Sequence, residues 1–269
     1  NIRNVPVFYT PYFSHPDPSV KRKSGFLPPS IKNFTNLGRA FKTPYFLEIG
    51  DSKDFTFTPV YYTEENSVFL GEYRQKNKNS ELYVDTSYSK GYKKLNKKSD
   101  DGSTIQRTGG SRNHFFFNFL GSYDDLLFAS NDLEMNIQKI SQKNYLKVHQ
   151  INTLNIKQDV SALQNDVILR SYEDNKQLTL EAYVYENLNE ETHNKKYQYT
   201  LPSITFNNFF RKFNQSVNLS NDFTAKNLGE NINQTHQINK ITTSSNLKKT
   251  KLIQGMGSTF KTSIKNINI

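Results

Sequence analysis

The sequence of 269 residues contains no cysteine and no tryptophan. Without cysteine the chain has no disulfide bond and no thiolate metal site, although this decides nothing about its compartment. No apolar run approaches the roughly 18 residues that a membrane-spanning helix needs. Hydrophobic residues make up 35% of the chain and the mean hydropathy is −0.75, which is too polar for the thick core of a compact soluble domain of this length.

Proline is nearly absent from most of the chain but frequent at its beginning. Eight of the nine prolines lie within the first 59 residues, and the ninth is Pro202. Proline has no backbone N–H and weakens a β-ladder wherever it stands. The first strands of the chain are therefore predicted to pair loosely.

Aromatic residues are abundant despite the polar composition. They make up 13% of the chain, with 20 Phe and 16 Tyr, so the chain is not disordered by composition. Low hydrophobicity combined with alternating aromatic residues favours a sheet with one apolar and one wet face. Water-filled membrane barrels and solvated antiparallel sheets both have this pattern.

The net charge is +10 and the isoelectric point is about 9.4. Such a charge suits nucleic acid, anionic lipid or phosphate-bearing ligands, and a compositional bias explains it equally well. The lysines are scattered, with small clusters only at 21–23, 93–98 and 248–251. This distribution argues against a groove for nucleic acid.

Alternation of apolar and polar residues predicts serial strands from about residue 41 onward. The pattern is clear at 55–63 and clearest at 176–188, where Leu178, Leu180, Ala182 and Val184 share one face. About a dozen strands of about 8–13 residues result, the length that a tilted barrel strand needs to cross a bilayer. Periodicity alone fits a soluble sandwich, solenoid or extended sheet equally well.

Residues 126–140 fit either a helix or a strand, and we predict a strand. We also predict a strand at 145–156.

Signals for catalysis or metal binding are poor. The histidines are scattered without ligand spacing, at His15, His114, His149, His193 and His236. No Ser–His–Asp arrangement or carboxylate pair stands out, and Gly255-Met-Gly257 lacks the third glycine of a nucleotide loop. We expect no catalytic residue, no metal and no cofactor.

The first 75 residues carry a set of specific motifs. They are Pro6-Val-Phe-Tyr-Thr-Pro-Tyr-Phe-Ser-His-Pro16, Lys21-Arg-Lys-Ser-Gly-Phe-Leu-Pro28, Thr43-Pro-Tyr-Phe46, Asp54-Phe-Thr-Phe-Thr-Pro59 and Gly71-Glu-Tyr-Arg74. In this order they resemble the lipopolysaccharide-assembly outer-membrane protein family LptD, also called organic-solvent-tolerance protein or OstA. The segments 163–169 and 200–206 are similar to later, weaker family segments.

The resemblance implies an all-β architecture in two parts. Residues 1–40 would be the end of a periplasmic β-jelly roll and its hinge. Residues 41–269 would be the first part, about a dozen strands, of an antiparallel outer-membrane β-barrel. Both ends of the chain are then expected to be cuts in a longer protein.

The resemblance also implies a function and partners. The family receives lipopolysaccharide (LPS) from a periplasmic bridge of LptA-like jelly rolls and inserts it into the outer leaflet. An LptE-like lipoprotein plugs the barrel, and outer-membrane lipid surrounds it. The expected location is the cell outer membrane, with residues 1–40 in the periplasm. The family commonly ties jelly roll to barrel by disulfides, so without cysteine that coupling is absent or made otherwise.

The family is thought to release LPS through a lateral gate between its first and last barrel strands. The motifs place this gate at Pro44 and Pro59. The hinge and LPS path would comprise Pro11, Tyr12, Phe13, Lys21, Arg22, Lys23, Ser24 and Gly25, with the basic residues meeting lipid phosphates.

Simpler interpretations remain for each of these sites. In the simpler interpretation Pro44 only begins a strand and Pro59 marks a bulge. The basic run is equally a solvated turn, and Pro11-Tyr12-Phe13 a packed corner. A general porin or channel, or a soluble β-rich surface protein, is the alternative function.

Overall fold

The computed structural model describes residues 22–93, 96–98, 104–106, 109–154, 157–174, 176–190, 196–210, 217–229, 237–253 and 256–268. The predicted sites Pro11, Tyr12, Phe13 and Lys21 lie outside these residues.

Antiparallel strands account for nearly all of the described chain, and one short helix, α1, spans Tyr145–His149. The strands are β1 Gly25–Phe26, β2 Ser30–Phe34, β3 Gly38–Lys42, β4 Tyr45–Gly50, β5 Lys53–Tyr62, β6 Val68–Lys76, β7 Ser80–Ser89, β8 Asn96–Lys98, β9 Thr104–Gln106, β10 Arg112–Asp124, β11 Ser130–Ile140, β12 Ala162–Glu173, β13 Lys176–Asn187, β14 Tyr197–Phe210, β15 Val217–Gly229, β16 Gln237–Ile253 and β17 Met256–Asn268. The predicted all-β, antiparallel class is confirmed, and so is the strand prediction at 126–140.

Fifteen of the strands form one sheet, and β8 and β9 form a separate hairpin. From β5 onward the sheet is a meander, in which each strand pairs with the next one along the chain apart from that hairpin. The described strands at the two ends of this order, β1 and β17, do not pair with each other. The predicted boundary at 40/41 falls inside β3, and the division into two domains stays a prediction.

The first two long strands of the sheet are each broken at prolines: one into β1 and β2, the other into β3 and β4. In β3 and β4 the paired positions run Ala40↔Tyr62 to Lys42↔Val60 and then Tyr45↔Phe57, so one register against β5 continues across the break. The break itself contains Thr43 and Pro44. β3 and β4 are therefore two segments of one strand, called an arm below, whose ladder with β5 is interrupted at Thr43 and Pro44.

The sheet has two chemically different faces, because side chains alternate along each strand and the register aligns them across strands. One face, called the apolar face below, carries Phe55, Phe57, Tyr61, Phe69, Val84, Phe115, Phe117, Ile137, Val167, Leu169 and Leu180. The other, the polar face, carries Asp54, Thr58, Glu72, Arg74, Asp85, Ser87, His114, Asn118, Asp166 and Thr179.

Burial is reversed relative to a water-soluble sheet. On the apolar face Phe57 and Phe69 are each 40% exposed and Phe115 is 43% exposed. On the polar face Asp85 is 6% exposed and His114 is fully buried. The sheet thus shelters polar side chains, together with an apolar cluster under α1, on one face and exposes aromatic side chains on the other.

The connection between β11 and β12 folds back over the polar face. The strand predicted at 145–156 is wrong, since α1 occupies its first part. Tyr145, Leu146 and His149 share one side of the helix turn and are all buried against the sheet. Gln150 ends the helix in the left-handed conformation (φ 50°), and the Ile151 N–H then donates to the Leu146 carbonyl at 2.9 Å.

Candidate functional site: the polar face beside the interrupted strands

Pro59 removes half of a hydrogen-bonded pair inside the sheet. Continuing the register places it opposite Thr43, whose N–H donates to the Pro59 carbonyl at 3.3 Å. The reciprocal bond to the Thr43 carbonyl is impossible because proline has no N–H. On the other side Pro59 keeps its place in the ladder, opposite Phe69.

Pro44 does the same on the outer side of its strand. The Leu27 N–H donates to the Pro44 carbonyl at 2.9 Å, one step beyond the β1–β4 pair of Phe26 and Tyr45. Pro44 has no N–H with which to return that bond. The arm that contains β3 and β4 therefore loses one bond on each of its two sides.

Pro28 and Pro29 add a third irregularity that the sequence analysis did not identify. The pairing of β1 with β4 and that of β2 with β3 differ by one residue in register. Pro28 and Pro29 therefore oppose the single residue Thr43, which is the two-against-one count of a β-bulge. Three weakened positions thus lie side by side across neighbouring strands.

Two described residues of the predicted hinge, Arg22 and Ser24, contact β4 and β5 at the end of these strands away from Thr43 and Pro59. Arg22 Nη1 donates to Asp54 Oδ2 at 2.9 Å, and Arg74 Nε donates to Asp54 Oδ1 at 2.7 Å. The Ser24 hydroxyl accepts a bond from the Glu48 N–H at 2.9 Å. Both contacts fix the hinge to β4 and β5 without a disulfide.

The other two hinge residues contribute less. Gly25 is the first residue of β1 and lies opposite Phe46, and Lys23 is exposed. No ion pair of Lys23 is found within the described part of the chain. Of the two described residues of the predicted basic run, Arg22 makes a side-chain ion pair and Lys23 is exposed.

Arg22, Asp54 and Arg74 belong to the wall of a cavity of about 790 Å³ on the polar face. Glu72 accepts from Arg74 at 3.1 Å, so the cluster alternates in charge. Arg22 is 59% exposed, whereas the Asp54 side chain is 6% exposed. The buried carboxylate is the anchor, and two more exposed guanidinium groups close over it.

A second cluster joins α1 to the sheet. The His114 ring bonds Asp85 Oδ1 through Nε2 at 2.9 Å and Ser87 Oγ through Nδ1 at 2.5 Å. Ser87 Oγ also lies 2.9 Å from the Tyr145 hydroxyl. The group of Asp85, Ser87 and His114 is not recognised from the sequence, although Asp85 and Ser87 share a face and His114 is the register partner of Ser87.

This Ser–His–Asp group does not have the exposure that a nucleophile needs. Ser87 is 3% exposed and His114 is fully buried, and Tyr145 covers the hydroxyl. The serine bonds two partners and both ring nitrogens are occupied, so all polar atoms named here are satisfied. The cluster is a buried hydrogen-bond chain that holds α1 on the sheet.

Burial also shifts the titration of two α1 side chains. Removal from water, together with the nearby Arg112 guanidinium, lowers the pKa of His149 to about 4. Burial raises the pKa of Tyr145 to about 12, although its bond with Ser87 and the nearby Arg112 act the other way. His149 is therefore neutral at pH 7, with its Nδ1 3.4 Å from the Tyr62 hydroxyl.

Further along the sheet the polar face continues as a hydrogen-bonded wall. Asn136 donates to Asp166 Oδ1 at 2.8 Å and accepts from Asn118 at 2.5 Å. Arg170 donates to Glu134 Oε2 at 3.2 Å. The wall offers polar groups of both signs rather than one charge.

Within the described residues no cluster of histidine, aspartate and glutamate could hold a metal ion. The same part of the chain contains no helix that is both long and apolar enough to span a membrane.

Fold and site together define an antiparallel β-sheet protein with one exposed apolar face and one sheltered polar face. Prolines interrupt the ladders of its first strands. Comparison with curated proteins is consistent with this class. The LPS-assembly protein LptD of Pseudomonas fluorescens is 29% identical over 209 residues, 77% of this chain and 20% of the relative. That of Pseudomonas putida is 37% identical over 100 residues, 37% of this chain and 10% of the relative.

A third relative, the LPS-assembly protein LptD of Pseudomonas entomophila, is 28% identical over 209 residues, again 77% of this chain and 20% of the relative. No family model matches the chain. The chain spans about a fifth of the length of the curated relatives that it matches most extensively. The resemblance predicted from the sequence is confirmed, and the chain is LptD-like.

Proposed function

We propose that this chain forms the first part of an outer-membrane β-barrel that inserts LPS into the outer leaflet. The observation that carries the proposal is the reversed burial, with aromatic side chains exposed on one face and charged side chains sheltered on the other. A large exposed apolar face in water favours aggregation, whereas a bilayer covers it. The names of the LptD relatives support LPS assembly as the task.

In this proposal the two faces divide the cargo. Acyl chains leave sideways into the bilayer, and the sugar moiety passes along the polar wall that contains Asp166, Arg170 and Glu134. Hydroxyl-rich sugars bond equally well to donors and acceptors, which such a mixed wall provides. Outer-membrane lipid surrounds the apolar face.

The lateral gate of the proposal lies at the arm that contains β3 and β4. Each missing bond at Pro44 and Pro59 is worth roughly 1 kcal/mol net. The bulge at Pro28 and Pro29 adds to this, so the first strands part at lower cost than the regular ladders beyond β5. A general porin gains nothing from such a weak seam, and a soluble surface protein gains nothing from an exposed apolar face.

The remaining parts are assigned by the resemblance. Residues 1–40 would be the periplasmic jelly-roll end and hinge, which takes LPS from an LptA-like bridge. Residues 41–269 would line a lumen that an LptE-like lipoprotein plugs. Arg22 and Ser24 support the hinge assignment through their contacts with Asp54 and with the Glu48 N–H.

The gate is tested by a disulfide lock in the full-length protein that carries this chain. One cysteine is placed in β4 and one in the last barrel strand, and the seam is oxidised in cells. We expect surface LPS to fall and to recover on reduction. A cysteine pair across the regular ladder of β6 and β7, at the Cα partners Gln75 and Leu82, is the control. Undiminished surface LPS with a fully locked seam would refute lateral release.

A further inference from the structure

A second cavity lies on the polar face directly beside the proline interruption. It has a volume of about 350 Å³, within the range of small-molecule sites. Its floor is formed by β2, β3, β5 and β6, and its roof by residues 149–152 after α1. Lys42 and Val60 line it and are the last register pair before the break at Thr43 and Pro59.

The floor of this cavity is largely apolar, whereas its roof carries the polar residues His149, Gln150 and Asn152. Val68 is fully buried, Ala40 is 4% exposed and Val60 is 8% exposed. Ile151 closes the cavity from the roof and Leu70 extends its wall. Along β5 and β6 this apolar stretch ends before Asp54, Glu72 and Arg74, and towards α1 it continues into the buried cluster that contains Phe116 and Ile140.

Two lysines stand at the cavity, and none of the residues that line it is acidic. Lys32 pairs with Ala40 and Lys42 pairs with Ser30, so the two lysines are diagonal neighbours on one face, with their Cα atoms roughly 7–8 Å apart. Both are exposed, and neither has an ion-pair partner among the described residues. Two like charges at this spacing favour an anion between them.

From this combination we propose that the cavity binds one acyl chain of a phosphate-bearing lipid, with the phosphate at Lys32 and Lys42. The inference deepens the proposed function, since the bound lipid would be the cargo that waits beside the seam. The apolar floor takes the chain, and the two ammonium groups take the head group. Segment 149–152 holds the chain in place from the luminal side.

Binding is tested on the purified full-length protein in an uncharged detergent. The photoreactive residue p-benzoylphenylalanine replaces Phe34, a lining residue, and radiolabelled dodecyl phosphate is the probe. We expect saturable labelling that excess dodecyl phosphate competes and inorganic phosphate does not. The same photoreactive residue at Tyr183, elsewhere on the polar face, should give no saturable labelling.

A double variant, Lys32→Gln with Lys42→Gln, tests the head-group contact. We expect its apparent affinity for dodecyl phosphate to fall about tenfold or more, the effect of losing charged hydrogen bonds. Lys53→Gln with Lys139→Gln removes the same charge at exposed positions away from the cavity and should leave labelling unchanged. Equal labelling by both double variants, or full competition by uncharged dodecyl maltoside, would overturn the proposal.

The source of the lipid is decided by photolabelling in cells. An adduct at position 34 that contains LPS supports the assignment to cargo, and an adduct with phospholipid alone overturns it. These results are independent of the gate. Failure of the disulfide lock to stop LPS release would leave binding in the purified protein intact, and loss of binding would leave the lock result unchanged.

Discussion

Thr43 and Pro59 face each other with one hydrogen bond where a regular antiparallel pair has two. Replacing Pro59 with alanine supplies the missing donor opposite the Thr43 carbonyl. We expect the ladder between β4 and β5 to open less often, by about fivefold for a net gain of roughly 1 kcal/mol. Amide hydrogen exchange in β4 measures this directly.

Pro202→Ala is the matched control for this variant. Pro202 is exposed and lies at the register shift between Thr200 and Ser203 in the β14 pairing. Loss of a proline raises the entropy of the unfolded chain in both variants, so that effect cancels between them. Equal exchange in β4 for Pro59→Ala and wild type would show that the interruption does not weaken this ladder.

Asp54 is a buried carboxylate that binds Arg22 of the predicted hinge. In Asp54→Asn both Arg22 and Arg74 lose a charged partner, while the side-chain volume is kept. Hydrogen bonds to charged groups contribute about 1.5–3 kcal/mol, and the exposure of Arg22 places its share at the lower end. We expect faster tryptic cleavage after Arg22 and Lys23.

Asp51→Asn serves as the control, because Asp51 lines the same cavity, is exposed and has no ion pair among the described residues. Its cleavage rate should match that of wild type. If Asp54→Asn is cleaved no faster than Asp51→Asn, then Arg22 does not fasten the hinge.

What the sequence predicts at the residue scale depends on how local the cause is. Pro44 and Pro59 are visible as prolines, and the loss of an N–H follows from their chemistry. The bond between Ser87 and His114 is not visible, since it depends on a register between strands separated by the long connection after β7. The anchoring of Arg22 by Asp54 is hidden for the same reason.

At the scale of elements, the α1 segment is the part that the sequence misrepresents. Residues 145–156 contain spaced apolar side chains that fit a strand, and only packing selects the helix turn. Tyr145 and Leu146 are both 1% exposed and join Phe116, Ile140 and Leu163 in one buried apolar cluster. That cluster exists only once the connection folds back over the polar face.

Docking of α1 should weaken at mildly acidic pH. His149 is buried beside Tyr62, Tyr145 and Arg112, and its pKa falls to about 4 from the usual value of about 6.5. The opened segment therefore binds more protons between these values, so docking is fully stable above about pH 6.5 and weakens as the pH falls toward 4. We expect roughly 30-fold more opening at pH 5 than at pH 7.5.

Hydrogen exchange of the α1 amides at the two pH values, corrected for intrinsic exchange, measures this opening. His149→Gln removes the titrating group and should flatten the profile, although it lowers docking at both pH values. A pH dependence that persists unchanged in His149→Gln would assign the effect to another group.

At the scale of the whole molecule, the alternation in the sequence predicts the two faces correctly but does not say which one is sheltered. Leu178, Leu180, Ala182 and Val184 share a face as predicted, and the register with β12 and β14 extends that face across neighbouring strands. A soluble sheet and a barrel wall differ only in which face meets the solvent. Composition bears on this choice, since a mean hydropathy of −0.75 leaves little apolar area for a core.

Neighbouring residues on β5 test this orientation within a single strand. Phe57 lies on the apolar face, 40% exposed and stacked on Phe69 with ring centroids 6.2 Å apart. Thr56 lies on the polar face opposite Glu72. Lysine at position 57 would face the hydrocarbon, at a cost of about 2–4 kcal/mol near the middle of the bilayer, whereas lysine at position 56 gains an acidic neighbour.

We therefore expect Phe57→Lys to lower the folded, heat-modifiable fraction of the full-length protein in outer membranes, and Thr56→Lys to leave it near the wild-type level. Both variants add one positive charge to the same strand, so a difference between them reports the face and not the charge. A soluble sheet would reverse the order, because lysine at an exposed position 57 is then harmless and at a sheltered position 56 is not. Equal folding of the two variants would contradict the membrane orientation of the apolar face, since only a bilayer penalises a cation on the exposed face.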